Sequence, residues 1–372
     1  MHAALRYGGN FALSTELAHG VSNMALYLDT VIQPAKVSIH VVPRTCIKSE
    51  AFDITLLILP LATGLGAMAA VLANPVFFTP VLVANLWLLG YHHVVATYTR
   101  LASTKQTLPR NRVPAIGLLL AITAAMLSLA FTGAWVVASA FFYLQWFHYM
   151  RHGHGLARRY FRVTPEGQVA GSRDLATDLV IYLVPIYAIA ARSATMGAAF
   201  LDLPIKAVVL PEQVIAALGV AAAAAGLLWL VSCSISFARG TLDTLYAGFV
   251  LSHIAIFLVG YLGIEDVNIG WLAINVWHNF QYGMVVWMMN QKHAANVDPA
   301  AQFLSPVSQP GRVAIYFAGC LALSAIVYVA LGSFVPVLGG GLAVTVGIYM
   351  GIIVHHYAVD ALIWKRRRPQ TI

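Results

Sequence analysis

The sequence is poor in charged residues and in cysteine. Only 10% of its 372 residues are Asp, Glu, Lys or Arg, and 60% are hydrophobic, whereas an ordinary soluble domain has about 25% charged residues. This composition excludes a water-soluble globular protein. The three cysteines, Cys46, Cys233 and Cys320, are far apart and form no CxxC motif, so iron–sulfur, zinc-ribbon and thioredoxin-like sites lack their ligands.

A cleavable signal peptide and a nucleic-acid-binding stripe are also missing. The first fifty residues include charged side chains such as Asp29 and Lys36 and lack the apolar core of about 7–15 residues that a signal peptide needs. We therefore expect residues 1–50 to form a cytoplasmic, partly amphipathic segment. The net charge of +8 is not interleaved with aromatic residues as in single-strand binders. We attribute it to membrane orientation and contact with anionic lipids, and expect no nucleic-acid partner.

Ten apolar stretches are long enough to cross a bilayer, whose core takes about 20 residues as a helix. They cover residues 54–74, 79–100, 114–131, 133–152, 177–198, 211–236, 242–263, 268–290, 312–334 and 340–364. Only a break at Thr132-Gly133 separates the third stretch from the fourth, so nine spans are the alternative. Residues 51–372 are therefore predicted to form a single all-α domain, a polytopic transmembrane helical bundle of about 10 spans.

The distribution of positive charge predicts the orientation of this bundle. With the N-terminus in the cytoplasm, 20 of the 22 Lys and Arg residues fall on the cytoplasmic side, and only Arg192 and Lys206 fall near the other face. Short cytoplasmic loops carry an excess of Lys and Arg. We therefore expect both termini to be cytoplasmic and the protein to lie in a bacterial inner membrane.

Histidine is the residue type that points to function. Six of the 13 histidines form three groups near the cytoplasmic ends of spans, and two more lie singly inside spans. Ionisable side chains at this depth are costly and mark functional sites, and imidazole is the commonest metal ligand. The predicted metal ligands are His92, His93, His148, His152, His253, His278, His355, His356 and Asp360.

Spacing along the helices constrains how these ligands are used. His148 and His152 form HxxxH, and His356 and Asp360 form HxxxD; residues four apart share one helix face. Neighbours on a helix diverge by about 100°. One member of each adjacent pair is therefore expected to bind one metal, while the other binds a second metal or forms a hydrogen bond to a ligand.

A second set of polar residues surrounds these ligands in the sequence. The eighth span has a polar face, which must look into the bundle, and two Asp residues begin the fifth and seventh spans. Interhelical hydrogen bonding is the alternative for His253, and interfacial exposure is the alternative for His152 and His154. The secondary candidates are Asn275, Asn279, Gln281, Tyr282, Asp178, Asp243 and His154.

This donor set predicts a non-haem metal centre. Imidazole and carboxylate without thiolate fit iron, copper or zinc, and seven or more donors exceed what one zinc needs. We expect two irons with positions open to O2, shielded from water by apolar helices. The expected activity is that of an oxygenase acting on an apolar, lipid-like substrate with electrons from a separate donor, and no catalytic residue is assigned.

Two motifs in the chain match a known family. Residues 148–152 have the form HxxxH, and residues 92–93 and 355–356 are HH doublets. In these features the chain resembles the histidine-box membrane desaturases and hydroxylases. The resemblance implies two irons at the cytoplasmic membrane face and oxidation of lipids by O2. It covers about twenty residues, and the HxxHH box of that family is not reproduced, since Leu89 and Ile352 stand three residues before the doublets.

Two other classes of function remain open from the sequence. The first is a b-type haem protein for electron transfer, in which His253 with His278, or His92 with His355, would bind a haem from both sides. The second is a metal or proton-coupled transporter with the histidines as its pathway. Against transport, the polar residues concentrate in one half of the membrane, and repeats with broken helices are not evident.

Overall fold

A computed structural model describes residues 46–101, 109, 111–160, 175–294, 307, 309, 311–337 and 341–364. In these ranges the chain forms ten helical segments and one very short hairpin. The all-α bundle predicted from the apolar stretches is therefore confirmed. The segment predicted for residues 1–50 lies outside the described residues except for its last five positions, and so do both termini.

The helices, numbered in chain order, follow the predicted spans closely. They are α1 Glu50–Ala73; α2, made of Pro75–Phe77, Phe78–Asn85, Leu86–Gly90 and Tyr91–Leu101; α3, made of Val113–Gly117 and Leu118–Thr132; α4 Ala134–Tyr160; α5 Leu175–Thr195; α6 Glu212–Ala238; α7, made of Thr244–Leu258 and Val259–Gly263; α8 Val267–Ala294; α9 Val313–Val337; and α10 Gly341–Trp364. The segments Leu86–Gly90, Val113–Gly117 and Val259–Gly263 are π-helical turns.

Eight of the helices are long and apolar enough to cross a membrane, which makes this an integral membrane protein. The other two long helices, α4 and α8, have 27 and 28 residues but are more polar, because they carry Gln145, His148 and His152, and Asn275, His278, Asn279 and Gln281, respectively. Both are buried along much of their length. The bundle therefore shields its two most polar helices from lipid, as polar groups at membrane depth require.

Glycines let two helix pairs approach closely. On α10, a Cβ added at Gly347 would lie 2.9 Å from Leu127 Cα, and one at Gly351 would lie 2.8 Å from Thr123 Cα, both on α3. On α1, a Cβ added at Gly64 would lie 2.6 Å from the carbonyl oxygen of Ala273 on α8. Small residues at such crossings are typical of membrane bundles, and these contacts fix α10 and α8 relative to their neighbours.

Polar contacts hold the start of α1 against the end of α8. The side chain of Ser49 caps α1 by accepting from the amide of Phe52, and the buried carboxylate of Asp53 accepts the amide of Ile47 at 2.6 Å. Lys48 Nζ donates to Gln291 Oε1 on α8 at 2.6 Å. Burial, together with the nearby positive charge of Lys292, lowers the pKa of the Lys48 ammonium.

Arg192 is one of the two positively charged residues that the charge distribution assigns to the external side, and its contacts give a reason for its position. Arg192 near the end of α5 donates to the backbone oxygens of Tyr261 at 2.7 Å, of Glu265 at 3.1 Å and of Ile264. These carbonyls lie at the C-terminal end of α7, where a cation is favourable. After α5 the chain forms the two-residue strands β1, Ala199–Phe200, and β2, Leu203–Pro204, which pair antiparallel.

Two helix boundaries bear on the predicted spans, namely the break between α3 and α4 and the end of α4. The break at Thr132-Gly133 separates two helices, since α3 ends at Thr132 and Gly133 adopts a φ of 155°. The fourth helix runs to Tyr160, eight residues beyond the predicted end at 152, because Leu156, Ala157 and Tyr160 are buried against the bundle. Residues assigned to a loop from their polarity therefore continue α4.

Candidate metal centre

Four imidazoles from four different helices meet inside the bundle. They belong to His93 on α2, His148 on α4, His278 on α8 and His356 on α10, and each residue is no more than 6% exposed. One ligand atom from each of His93, His148 and His356 lies within 4.8 Å of the others. We call these four residues the imidazole cluster. Each helix brings one imidazole, so the cluster exists only when the four helices are packed.

The Nε2 atoms of the imidazole cluster face each other in pairs. His93 Nε2 lies 2.9 Å from His356 Nε2, and His148 Nε2 lies 3.1 Å from His278 Nε2. The ring centroids of His148 and His356 are 5.0 Å apart, so the two pairs adjoin. Neutral imidazoles at these distances share a hydrogen bond, and an ion bound to both Nε2 atoms as adjacent ligands, on one side of the pair, would replace the shared proton.

A chain of polar side chains runs between the outer nitrogens of two of these rings, with a hydrogen bond at His356 and a longer charge contact at His148. His356 Nδ1 lies 2.8 Å from Thr97 Oγ1, which lies 2.8 Å from the hydroxyl of Tyr282. Tyr282 in turn donates to Asp360 Oδ1 at 2.9 Å, and Asp360 Oδ2 lies 3.7 Å from His148 Nδ1. Carboxylates and hydroxyls that orient the outer nitrogen of a histidine are typical of metal sites.

The contacts of Thr97 suit one tautomer of His356. Thr97 Oγ1 donates to the carbonyl oxygen of His93 at 3.1 Å, and the same oxygen can accept the Nδ1–H of His356 at 2.8 Å. The Nε2 atom of His356 then keeps its lone pair for the interior of the cluster. The ring of His148 is stacked on Tyr357, with centroids 4.3 Å apart, which restricts its rotation.

His152 extends the cluster along α4. It lies one turn after His148, as the HxxxH spacing requires, and is 1% exposed. Its ring centroid is 4.9 Å from that of His278 and 5.2 Å from that of Tyr282. The structure thus brings His152, Tyr282 and Asp360 next to the imidazole cluster.

A network of amides lies beside the imidazole cluster and includes a residue that sequence reasoning missed. Asn85 on α2 donates to Asn275 Oδ1 at 2.5 Å, and Asn279 Nδ2 donates to the same oxygen at 2.8 Å. Asn275 Nδ2 donates to the hydroxyl of Tyr149, whose ring centroid is 4.4 Å from that of His278. The signal for Asn85 was a lone amide within an apolar span.

The other members of the histidine doublets point elsewhere. The ring of His92 is stacked on Phe317 of α9, with centroids 4.6 Å apart and planes 3° apart. His355 is hydrogen-bonded through both ring nitrogens, at 2.6 Å to the hydroxyl of Tyr98 and at 2.8 Å to the carbonyl oxygen of Pro114. Since neighbours on a helix diverge by about 100°, the residue next to each inward histidine faces another helix.

The predicted carboxylates on α5 and α7 have other partners. Asp178 is paired with His154 Nε2 at 2.9 Å and with Arg158 at 3.0 Å. Asp243 accepts from the amides of Leu245 and Tyr246 at 3.0 and 3.1 Å. Asp243 is thus the N-cap of α7, and the structure brings neither carboxylate into the imidazole cluster.

His253 and Gln281 lie apart from the Nε2 pairs. The ring of His253 on α7 packs against Gly153 of α4, where an added Cβ would collide with it, and its centroid is 5.8 Å from that of Trp277. Gln281 is fully buried, and its amide has no hydrogen-bond partner among the described residues. Neither residue takes part in the Nε2 pairs of the imidazole cluster.

The donor set of the imidazole cluster fits a metal ion in three respects. Three or four imidazoles are enough for a catalytic site with an open position. Two outer nitrogens have orienting partners, and a buried carboxylate lies close enough to offset part of the positive charge of an ion. The three residues His93, His148 and His356 could therefore hold a metal ion, and His278 adjoins them through His148.

Comparison of the chain with protein-family models, with curated proteins and with solved structures finds no significant match. The function is therefore argued from the site itself.

Proposed function

We propose that this integral membrane protein is a metal-dependent oxygenase that acts on an apolar, lipid-like substrate. The observation that carries the proposal is the pairing of four buried Nε2 atoms, at 2.9 and 3.1 Å, from four helices. A purely structural role does not require four ionisable rings in one place, because each could be replaced by an apolar residue. We place the centre in the cytoplasmic half of a bacterial inner membrane, following the predicted orientation.

Iron is the metal that we propose for the imidazole cluster. Imidazole donors suit zinc, copper and iron, and redox work with O2 selects iron or copper. The geometry favours one ion. His92 and His355 contact other helices, and Asp360 accepts a hydrogen bond from Tyr282, so these three residues are not arranged as ligands of a second ion. Two ions, as the sequence predicts, would need further donors such as His152 and Asp360 itself, and metal stoichiometry distinguishes the two forms.

The reaction that we propose consumes O2 and two electrons. One oxygen atom is inserted into a substrate C–H bond, which becomes a C–O–H group. The other oxygen atom leaves as water, taking up two protons and two electrons. The electrons come from a separate reduced protein or cofactor, and the substrate arrives from the surrounding lipid. The bound iron would supply the redox chemistry.

The residues of the chain have three tasks in this proposal. The four imidazoles of the cluster hold the ion. Thr97 orients the ring of His356 by a hydrogen bond, and Tyr282 links Thr97 to the carboxylate of Asp360, whose charge lies 3.7 Å from His148 Nδ1. The aromatic residues around the cluster, such as the buried Tyr149 and the partly buried Tyr357, keep water away from the reacting atoms.

Contacts of the individual histidines favour this proposal over a haem protein. A haem iron between two imidazoles needs a metal–nitrogen bond of about 2 Å on each side, hence about 4 Å between the nitrogens. In the sequence-based pair of His253 and His278, His278 Nε2 instead lies 3.1 Å from His148 Nε2, and the ring of His253 contacts Phe257 and Trp277. In the sequence-based pair of His92 and His355, each ring contacts different neighbours.

Metal content and the optical spectrum test the proposal. The protein purified from iron-supplemented cells should contain about one iron per chain and no haem absorption. His148→Ala, His278→Ala and His356→Ala should each lower the iron content at least about tenfold, because each removes a ligand. His92→Phe is the matched control, since a phenyl ring can keep the stack on Phe317, and it should retain iron.

Three results would overturn parts of the proposal. A Soret band would replace the non-haem centre by a haem protein. Full iron content in all three alanine variants would place any metal outside the imidazole cluster. Loss of the ion on mild chelation, together with uptake of metal into protein-containing vesicles, would indicate a transporter. A content of about two irons per chain would overturn the single-ion form and support the two-ion form that the sequence predicts, with the proposed oxygenase activity unchanged.

A further inference from the structure

A second polar region lies on α8 beside the imidazole cluster. Trp277 and Gln281 are both fully buried. The indole Nε1 of Trp277 and both amide atoms of Gln281 have no hydrogen-bond partner among the described residues. The two residues are four apart and therefore share one face of the helix. This face therefore carries two N–H donor groups and one carbonyl acceptor to which no described residue forms a hydrogen bond.

His253 of α7 borders the same face. Its ring centroid lies 5.8 Å from that of Trp277. The ring occupies the space left by the missing side chain of Gly153 on α4, since a Cβ there would collide with it. His253 is fully buried, so three polar side chains from α7 and α8 lie in one apolar interior.

Unused polar groups at this depth indicate an occupant. A buried donor or acceptor without a partner costs about 1–3 kcal/mol, and three such atoms stand on two neighbouring residues. Indole, amide and neutral imidazole carry no charge. Because burial of an isolated charge is very costly, these groups suit an uncharged oxygen atom, as in a ketone, an aldehyde or an alcohol.

We propose that His253, Trp277 and Gln281 bind the oxygen-bearing end of an uncharged lipid-like substrate. This inference rests on the proposed function, because Gln281 lies three residues after His278, a rise of about 4.5 Å along α8. A substrate held there by its polar end would place its apolar chain beside the metal centre. The substrate class is thus a long apolar molecule with one neutral carbonyl or hydroxyl group.

A metal ion fits this second region less well than an oxygen atom. In the part of the chain that the structure describes, the three-residue group with donors within 4.8 Å of one another is His93, His148 and His356. His253 does not belong to such a group. The amide of Gln281 is a weak metal ligand. The indole of Trp277 only donates hydrogen bonds and has no lone pair for a metal.

Hexadecan-2-one labelled with 13C at its carbonyl is a suitable probe, with hexadecane as its counterpart without oxygen. Binding to the full-length protein in lipid nanodiscs is measured by native mass spectrometry, and the carbonyl stretch by isotope-edited infrared spectroscopy. The ketone should bind at least about tenfold more tightly than hexadecane, the factor that 1.4 kcal/mol represents. Its carbonyl band should shift to lower frequency because the oxygen accepts hydrogen bonds.

Two pairs of variants separate this site from a general effect of the substitutions. Trp277→Phe and Gln281→Met should each reduce the preference for the ketone about tenfold and weaken the band shift. Trp287→Phe and Gln291→Met remove the same chemical groups elsewhere on α8, and both should keep the preference. Trp287 is an apt control, since its Nε1 is also buried without a partner among the described residues.

The outcomes distinguish this proposal from the metal proposal. Equal affinity for ketone and hexadecane, or equal effects of Trp277→Phe and Trp287→Phe, would overturn the substrate site. A high-resolution structure with the ketone bound elsewhere and only water at Gln281 would do the same. Iron content is measured on the same samples: if iron is absent while the preference persists, the metal proposal fails and the binding site stands.

Discussion

At the scale of single residues, the role assigned to Asp360 differs most between the sequence and the structure. The HxxxD spacing makes it a candidate metal ligand, and it does lie beside the imidazole cluster. Its oxygens, however, contact the hydroxyl of Tyr282 at 2.9 Å and His148 Nδ1 at 3.7 Å. A carboxylate in this position raises the basicity of the imidazole and fixes its orientation. We therefore interpret Asp360 as a positioning residue for His148.

Asp360→Asn tests this interpretation. The substitution keeps the size of the side chain and removes its charge, so we expect metal affinity to fall about 10–100-fold, the range for orienting partners. Competition with chelators of graded affinity measures the change. Asp53→Asn, at a buried carboxylate that accepts backbone amides, is the control and should leave metal affinity unchanged. Complete loss of metal in Asp360→Asn would show direct ligation instead.

At the scale of elements, the π-helical turn Leu86–Gly90 sets the register of α2. Asn85 and His93 both contact α8, through Asn275 and through His278 respectively. Eight residues of a regular α-helix would turn them about 80° apart. A π turn takes up one additional residue, and such turns are frequent at functional sites. The turn thus brings an amide and an imidazole to the same side of α2.

Deletion of Leu88 is expected to be tolerated. This exposed residue lies within the π turn, and its removal leaves Asn85 and His93 seven positions apart, about two regular turns. The helix should become continuous while Asn85 and His93 keep their partners, so metal content should persist. Insertion of an alanine after Leu88 is the matched control and should rotate one half of α2 and reduce metal content. Loss of metal in the deletion would contradict this role of the turn.

The polarity of α4 and α8 is a second property at the scale of elements. These helices supply His148, His152 and His278 and the amides Asn275 and Asn279, and they fall outside the eight apolar candidate spans. Polar groups within the membrane must be satisfied inside the protein. The bundle meets this requirement by hydrogen bonds between α2, α4, α8 and α10. The two helices least like membrane spans therefore supply two of the four imidazoles of the cluster and two of the three asparagines beside it.

At the scale of the whole molecule, orientation follows from the loops between helices. Thr241 precedes α7, and Glu265 follows it, so the two positions should lie on opposite sides of the membrane. The charge distribution predicts that Thr241 is cytoplasmic and Glu265 is external. Both residues are exposed, which makes them accessible to a labelling reagent.

Cysteine labelling tests this orientation. In a cysteine-free background, Glu265→Cys should react with a membrane-impermeant maleimide in intact bacterial cells, whereas Thr241→Cys should react only after the cells are permeabilised. Labelling of Thr241→Cys alone in intact cells would invert the topology and move the metal centre to the external half. Retention of iron in both variants would show that the bundle is intact.

Much of the fold could be predicted from the sequence because membrane helices form locally. The ten apolar stretches correspond to ten helical segments in the described ranges, and the Gly133 break appears where the apolar stretch is interrupted. The end of α4 could not be placed, because burial of Leu156 and Tyr160 against other helices outweighs the local polarity of that sequence. The end of a helix that packs against distant residues is a tertiary property.

The site was less predictable than the fold. Spacing within one helix placed His148 and His152 on one face of α4, and His356 and Asp360 on one face of α10, since both pairs obey the periodicity of a helix. It could not choose between the members of His92-His93 or of His355-His356, nor find Asn85. Those choices depend on how each helix is rotated toward its neighbours.

The sequence by itself determined the class of the protein, the number of helical segments and the presence of buried histidines, because composition, apolar length and spacing along one helix are local properties. Tertiary structure decided which imidazoles converge. Close packing at Gly347 and Gly351, the π turn in α2 and the contacts of α8 orient one histidine of each doublet toward the centre and turn the other away. A site made by four helices is fixed only by their mutual rotation, which no single stretch of sequence encodes.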